Sequence, residues 1–279
     1  MEIKSLKGTA TKEIASVFNH AFSDYFVPLK MNEDQLRAKM LADNTDLELS
    51  IGVFEDGNPI AFMLHGYDTI DGQRIVYNGG TGVIPDKRGT GLTKKMYEYS
   101  LPVLTEKGID KVILEVITNN IQAIKSYERS GFVKKRELAC FKGEFTADKF
   151  NKEVVIKELS GYNWSELESF WDITPTWQNS KSTLDKTQVS DNSIGAYIED
   201  KLVGYAVYKP STKRLQQIAV CKDHRRQGIA TELVTNLASN DPNITVINVD
   251  KKAGHVCDFF KAIGLENYLE QFEMELALQ

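Results

Sequence analysis

Several absences bound this chain before any motif is read. Its three cysteines, Cys140, Cys221 and Cys257, form no C-x-x-C pair and have no Cys/His spacing suited to zinc. That excludes a disulfide framework and a zinc-ribbon class, and leaves free thiols in a reducing compartment as the expectation. No apolar run approaches the ~20 residues of a membrane helix. The start, Met1-Glu2-Ile3-Lys4-Ser5-Leu6-Lys7, lacks the apolar centre of a signal peptide. A cytoplasmic protein with no membrane partner is therefore expected. Positive charge is also short: 34 Lys and Arg against 39 Asp and Glu give a net charge of −5. A nucleic-acid partner is not expected, because such proteins show a basic face. Finally, no Gly-Lys pair occurs, which excludes a Walker A phosphate loop.

What is present is an ordinary globular composition, 42% hydrophobic and 26% charged, on 279 residues. That length suits two domains of about 100–150 residues, each able to bury a core. The chain is also written twice. Ile3-Lys4-x-Leu6-x-Gly8 is echoed by Ile156-Lys157-x-Leu159-x-Gly161, and Glu13-Ile14-x-Ser16 by Glu166-Leu167-x-Ser169. Each echo predicts a short strand running into an amphipathic helix. Gly52 to Met63 alternates and turns at Asp56-Gly57, a hairpin signal whose counterpart runs from Ala196 to Val207. A repeat of this length is a duplicated domain. The division predicted is 1–147 and 153–279, with the seam around Ala147 to Lys152. Within each copy, hairpins followed by strand, helix, strand, helix, strand predict an α+β domain with a mixed, mostly antiparallel sheet and one parallel crossover.

The first copy carries a strand, Ile75 to Ile84, that runs into Arg88-Gly89-Thr90-Gly91-Leu92-Thr93 and a helix through Tyr99. Glycines at such a turn let the backbone approach a ligand closely, and the first helical N–H groups form an anion site. A diphosphate is the natural occupant, although Lys94 stands where a dinucleotide fingerprint needs its third glycine. Pro102 is expected to kink or end the helix that follows. Further on come Leu114-Glu115-Val116 and then Asn120-x-x-Ala123-x-x-x-Tyr127-x-x-x-Gly131-Phe132.

Taken together these motifs resemble the GNAT superfamily of acyl-CoA-dependent N-acyltransferases, over both halves of the chain. The resemblance implies acetyl-CoA as acyl donor and a small-molecule or peptide amine as acceptor, with a homodimer left open. It implies that backbone N–H groups of Arg88, Gly89, Thr90, Gly91, Leu92 and Thr93 hold the CoA pyrophosphate. Thr93 departs from the usual Gly or Ala but is still small. Gly82 and Val83 would pair with the pantetheine arm, and a strand N–H there would polarise the thioester carbonyl. Asn120 would hydrogen-bond the pantetheine, and Tyr127 would sit near the sulfur as general acid. Glu115 lies in a segment similar to that of the ribosomal-protein α-amino acetyltransferases and is the base implied. On chemical grounds a base is useful, because an attacking lysine-like amine titrates near ~10.4, and a phenol can protonate a leaving thiolate of pKa about 8.5. Glu55, His65, Asp68 and Tyr77 remain rival bases or substrate contacts. The acidic balance favours a cationic acceptor such as a polyamine or aminoglycoside.

Aligned on Gly131 and Gly264, the second copy replaces Tyr127 by Phe260, Asn120 by Ala253 and Glu115 by Asn248. Phenylalanine keeps the packing of tyrosine but delivers no proton. Arg225-x-x-Gly228-x-Ala230 nevertheless fits the pyrophosphate motif more closely than the first copy does. The second half therefore reads as a partner domain without acid or base, with His224 and His255 as the only replacement chemistry in view. Two other readings stay open: a CoA-binding module without turnover, and an aminoacyl-tRNA-dependent transferase, the latter weakened by the negative net charge.

Overall fold

The computed structural model describes every residue except 26, 28, 147–150, 152, 240 and 279. Most of the expected seam, 147–150 and 152, thus lies outside the described residues. In the first half the elements are β1 (Glu2–Ser5), α1 (Thr11–Ala21), α2 (Glu33–Ala42), β2 (Ile51–Glu55), β3 (Asn58–Ile70), β4 (Gln73–Val83), α3 (Leu92–Glu106), β5 (Lys111–Ile117), α4 (Ile121–Arg129) and β6 (Val133–Glu144). The second half adds β7 (Val155–Glu158), α5 (Trp164–Ser169), α6 (Lys181–Thr187), β8 (Asn192–Ile198), β9 (Lys201–Lys209), β10 (Arg214–Val220), α7 (Ile229–Leu237), β11 (Asn243–Asp250), α8 (Gly254–Ala262) and β12 (Glu266–Ala277). This is the α+β pattern expected from the sequence.

Contacts divide the chain into two compact units, Met1–Lys135 with Phe272–Gln279, and Arg136–Gln271. The first unit orders its strands β1-β2-β3-β4-β5 followed by the end of β12; the second orders β6-β11-β10-β9-β8-β7. Among the strand pairs whose register is described, β4–β5 and β10–β11 are parallel and the others are antiparallel. The division 1–147 and 153–279 marks copies of a pattern, and we keep it as a proposal in that sense. Contacts give the end of β12 to the first unit: Met274 is fully buried among Met96, Leu104, Val112 and Leu114, and Leu278 N–H donates to Asp110 O at 2.8 Å.

Local chemistry explains the connections. Asp56 and Gly57 have φ of 50° and 81°, the two positive values a type I′ hairpin turn demands. Glu199 and Asp200 adopt 48° and 62° at the equivalent turn, without glycine. Helix α3 does not end at Pro102 but runs on to Glu106. Pro102 and Glu98 both lie on the exposed face, so the carbonyl that loses its N–H partner meets water. In the first unit the sheet is covered on both sides: α3 and α4 pack over Met63, Val76 and Leu114, while α1 and α2 pack over Phe62 and Leu64. Among the described residues no helix is long and apolar enough to cross a membrane.

The contribution of the last strand is testable. Met274→Ala should destabilise the first unit by about 2–5 kcal/mol, as a large-to-small change in a filled core does. Native-state hydrogen exchange should show the loss of protection in β4 and β5 and spare β8 and β9.

Candidate active site

Strands β4 and β5 pair in parallel over three positions, Ile75↔Lys111, Val76↔Val112 and Tyr77↔Ile113, and no further pairs follow. At that point β4 bulges: Leu64 faces Gly80 and His65 faces Asn78, so Gly79 is the extra residue. Asn78 holds the bulge. Its Nδ2 donates to Tyr97 Oη (2.7 Å) and Thr81 Oγ1 (2.8 Å), while its Oδ1 accepts from Gly80 N–H (3.1 Å). Gly79 is required by space, since a Cβ there would stand 2.8 Å from Asp43 Oδ2.

Beyond the bulge, the loop to α3 is glycine-bound for a conformational reason. Gly89 and Gly91 have φ of 74° and 78°, and a Cβ on either would meet nothing within 4 Å. Gly91 is the N-cap of the 15-residue α3 and offers no capping side chain, so it leaves the first-turn amides of α3 without a side-chain cap. Leu92 is buried and anchors the helix start. Thr90 Oγ1 closes the loop on Lys87 O at 2.6 Å. Arg88 turns the other way: it grips Asp24 through two nitrogens (2.6 and 2.7 Å) and donates to Ala21 O (2.8 Å) and Val83 O (3.2 Å). Its side chain ties the loop to the end of α1, while its backbone belongs to the loop. Gly82 is packed from behind; a Cβ would lie 2.5 Å from the Phe62 ring.

The acid and base candidates sit on opposite faces of the opening. Tyr127, on α4, is buried among Tyr97 and Phe132 with ring centroids 6.2 and 5.8 Å away. Burial raises its phenol to about 12, against a hydrogen bond with Thr81 that lowers it. Asn120 is the N-cap of α4, its Oδ1 accepting from Ala123 N–H at 3.1 Å. Tyr25, which the sequence reading missed, approaches both, hydrogen-bonding with the Asn120 side chain and lying close enough to Tyr127 to raise its pKa.

Glu115 points to the face away from α3 and α4, with its neighbours Leu114 and Val116 in the core on the other side. Tyr77 Oη donates to Glu115 Oε2 at 2.6 Å, and Oε1 is buried without a hydrogen-bond partner. Burial pushes the carboxyl up to about 7, helped by Glu273 and Asp43 and opposed by the tyrosine and Lys39. Glu273 reaches this spot on the end of β12, where Lys111 Nζ–Glu275 (3.2 Å) fixes the neighbouring turn of the strand. The rivals are accounted for. Glu55 pairs with Lys87 at 2.5 Å. His65 is fully buried, its Nδ1 on Leu49 O (2.9 Å), and burial lowers its pKa to about 4. Asp68 Oδ1 accepts from Thr69 N–H. Tyr77 is a partner of Glu115.

The second unit repeats the scaffold. β10 and β11 share one parallel pair, Arg214↔Thr245, and Gln216 is the bulged residue on β10. Each bulge stands nine residues before its arginine, Gly79 before Arg88 and Gln216 before Arg225. Arg225 copies Arg88, donating to Asp172 (2.9 Å), Phe170 O (3.0 Å) and Val220 O (3.1 Å). Gly228 caps α7 with φ 82°, and Ala253 caps α8 with dihedrals within 2° of those of Asn120. Phe260 is buried at the place of Tyr127. His255 Nε2 lies 3.0 Å from Asp172 Oδ2.

Comparison with known proteins agrees with this geometry. The model of the Acetyltransferase (GNAT) family matches residues 14–132 and again 157–246, together more than half of the chain. The chain belongs to that family, in tandem. A GCN5-related N-acetyltransferase from Sphaerobacter thermophilus superposes over 100% of this chain and 96% of its own with a TM-score of 0.75 at 13% identity. A tandem GNAT protein from the clavulanic acid biosynthesis pathway covers 100% and 98%, with a TM-score of 0.71 at 11% identity. At such identities the likeness is one of fold. The mycothiol acetyltransferase of Corynebacterium aurimucosum is 47% identical over 51 residues, which are 18% of this chain and 17% of that protein.

The Tyr77–Glu115 contact makes a prediction of its own. A hydrogen bond donated to a carboxylate favours the ionised form, so Tyr77→Phe should move the Glu115 titration above pH 7. Side-chain carboxyl NMR of selectively labelled glutamate reads this directly; an unmoved midpoint would mean the contact is absent in solution.

Proposed function

We propose that this chain is a cytoplasmic N-acetyltransferase that moves an acetyl group from acetyl-CoA to a primary amine by direct attack, with the chemistry in the first unit. The observation that carries the reading is Glu115: a carboxyl at the opening of β4 from β5, held by Tyr77 and titrating near neutrality. Bound acetyl-CoA supplies an acetyl group activated as a thioester. The residues around the opening suit it. A left-handed glycine turn with room in front of it and an uncapped helix start favour a diphosphate on Arg88 to Thr93. Gly82, Val83 and Asn120 border the path an extended arm would take from there.

Glu115 would accept the proton that the amine nitrogen sheds. A carboxylate of pKa about 7 is too weak a base to strip a free ammonium near ~10.4, so it acts as the nitrogen bonds to carbon and its N–H becomes acidic. Tyr127, at about 12, is a weaker acid than a thiol near ~8.5. Its role at the leaving sulfur is therefore hydrogen-bond donation that stabilises the growing charge, with Tyr25 and Thr81 holding the ring. Asp43, Glu115 and Glu273 together support a cationic acceptor, small molecule or peptide.

Thiol release from acetyl-CoA with a panel of primary amines tests the reaction. Because the base must be ionised and the amine neutral, kcat/KM corrected for the neutral fraction of the amine should rise about tenfold per pH unit below about 7 and level off above it. Glu115→Gln should lower kcat/KM by about 10²- to 10⁴-fold and abolish that limb; wild-type turnover in this variant would sink the assignment. Tyr127→Phe should reduce kcat more than it weakens acetyl-CoA binding.

A further inference from the structure

Helix α2 carries two ion pairs of the same i,i+4 spacing in very different surroundings. Arg37 and Glu33 are exposed, their side chains 58% and 41% open to solvent. Lys39 and Asp43 are buried at the end of the helix, at 17% and 6%. An exposed pair of this spacing is a common surface feature. A buried pair is not, because removing two charges from water costs free energy that their attraction does not reliably return. Leu36, fully buried, already anchors α2. The buried pair therefore needs another reason.

Its position supplies one. The chain leaving α2 is pinned to β3. Asn44 takes a φ of 53° and its side-chain amide donates to Tyr67 O, while Tyr67 N–H donates to Asn44 O at 3.1 Å. Thr45 bridges Gly66, and Asp46 N–H donates to His65 O at 2.8 Å. Asp43 is thereby held against the sheet. Its Oδ2 fills the space over Gly79, 2.8 Å from where a Cβ would stand, and the Tyr77 ring lies 3.3 Å from that same point. Asp43 thus flanks the ring whose hydroxyl donates to Glu115 at 2.6 Å.

The groups that face Glu115 are Tyr77 from β4, Glu273 from β12, and Asp43 and Lys39 from α2. Both carboxylates disfavour an ionised base beside them, and Lys39 is the one cation of this set that favours it. We propose that, with Glu115 as the base assigned above, the buried Lys39–Asp43 pair is a positioning element that sets when Glu115 ionises. Asp43 buttresses the Tyr77 ring, and Lys39 offsets the charge which that support brings near the base. Both act through Tyr77 and through the field at Glu115, not by taking a proton from the acceptor.

Side-chain carboxyl NMR of selectively labelled glutamate in the full chain tests this, with the Glu115 signal identified by its loss in Glu115→Gln. Asp43→Asn should lower the Glu115 midpoint and Lys39→Met should raise it, each by about half a pH unit or more. The double variant removes both charges and should bring the midpoint back towards that of the wild type. The low-pH limb of kcat/KM, corrected for the amine, should move with each midpoint. Relative to each variant's own plateau, activity at pH 6 should rise about threefold in Asp43→Asn and fall about threefold in Lys39→Met. A merely structural disturbance would lower the plateaus without driving the midpoint in opposite directions. Unless the two single variants move it in opposite directions, the proposal falls. Turnover by Glu115→Gln alongside such shifts would remove the base assignment and leave the pair's hold on the carboxyl. Lost turnover in that variant without the shifts would remove the role of the pair alone.

Discussion

Everything of chemical interest in the first unit depends on β4 leaving β5 after Tyr77. A parallel pair would otherwise close its backbone hydrogen bonds along the full length of both strands, and the sheet would offer a ligand nothing. The bulge at Gly79 breaks the rhythm of β4, and Asn78 secures the break by binding Tyr97, Thr81 and the Gly80 amide at once. From that single departure follow the exposed strand edge and the glycine loop, while the alternation of β5 and the packing of α4 place Glu115 and Tyr127 on opposite faces. The proposed attack through the gap uses that arrangement, with a base on one side and a hydrogen-bond donor on the other.

The second requirement is that the loop after β4 stays where the strand leaves it. Arg88 and Arg225 solve it in the same way, each gripping a carboxylate and the carbonyl that ends the unit's first helix. A planar guanidinium with several donors suits that joint, and a lysine would not replace it. The charge of the motif arginine is therefore spent on the protein, which leaves the backbone amides as the groups that the proposed function assigns to the diphosphate. Both copies keep the joint, while only the first carries a glutamate, an asparagine and a tyrosine at positions 115, 120 and 127, so the joint belongs to the fold and not to those three side chains.

Much of this was legible in the sequence because it is local. Asp56-Gly57 and the glycines before α3 each act through dihedrals within a few residues, so their spacing carries the information. Pro102 does not end α3 because its effect turns on exposure: with Glu98 facing water, the helix continues. Contacts between distant strands left no such trace. Tyr77 meets Glu115 only through the register of β4 and β5, and Glu273 only because the end of β12 folds into the first unit. Tyr25 was invisible for the same reason, since nothing in its neighbourhood marks it as a partner of Asn120.

The exchange of Glu115 for Asn248 has a physical direction. Burial sets the Glu115 carboxyl near pH 7, which means that ionising it inside the protein is costly and is tolerated where a base is wanted. An asparagine of similar size removes that cost and the proton chemistry with it, and the same holds for phenylalanine in place of Tyr127. What remains is shape and hydrogen-bonding capacity. Arg226 even keeps the left-handed backbone, at φ 63°, that Gly89 provides in the first unit, although a side chain makes it strained. A unit that had merely lost its role would be free to relax such strain and to fill its opening. The second unit instead keeps the bent loop and the parted strands of the first while lacking the glutamate and the tyrosine.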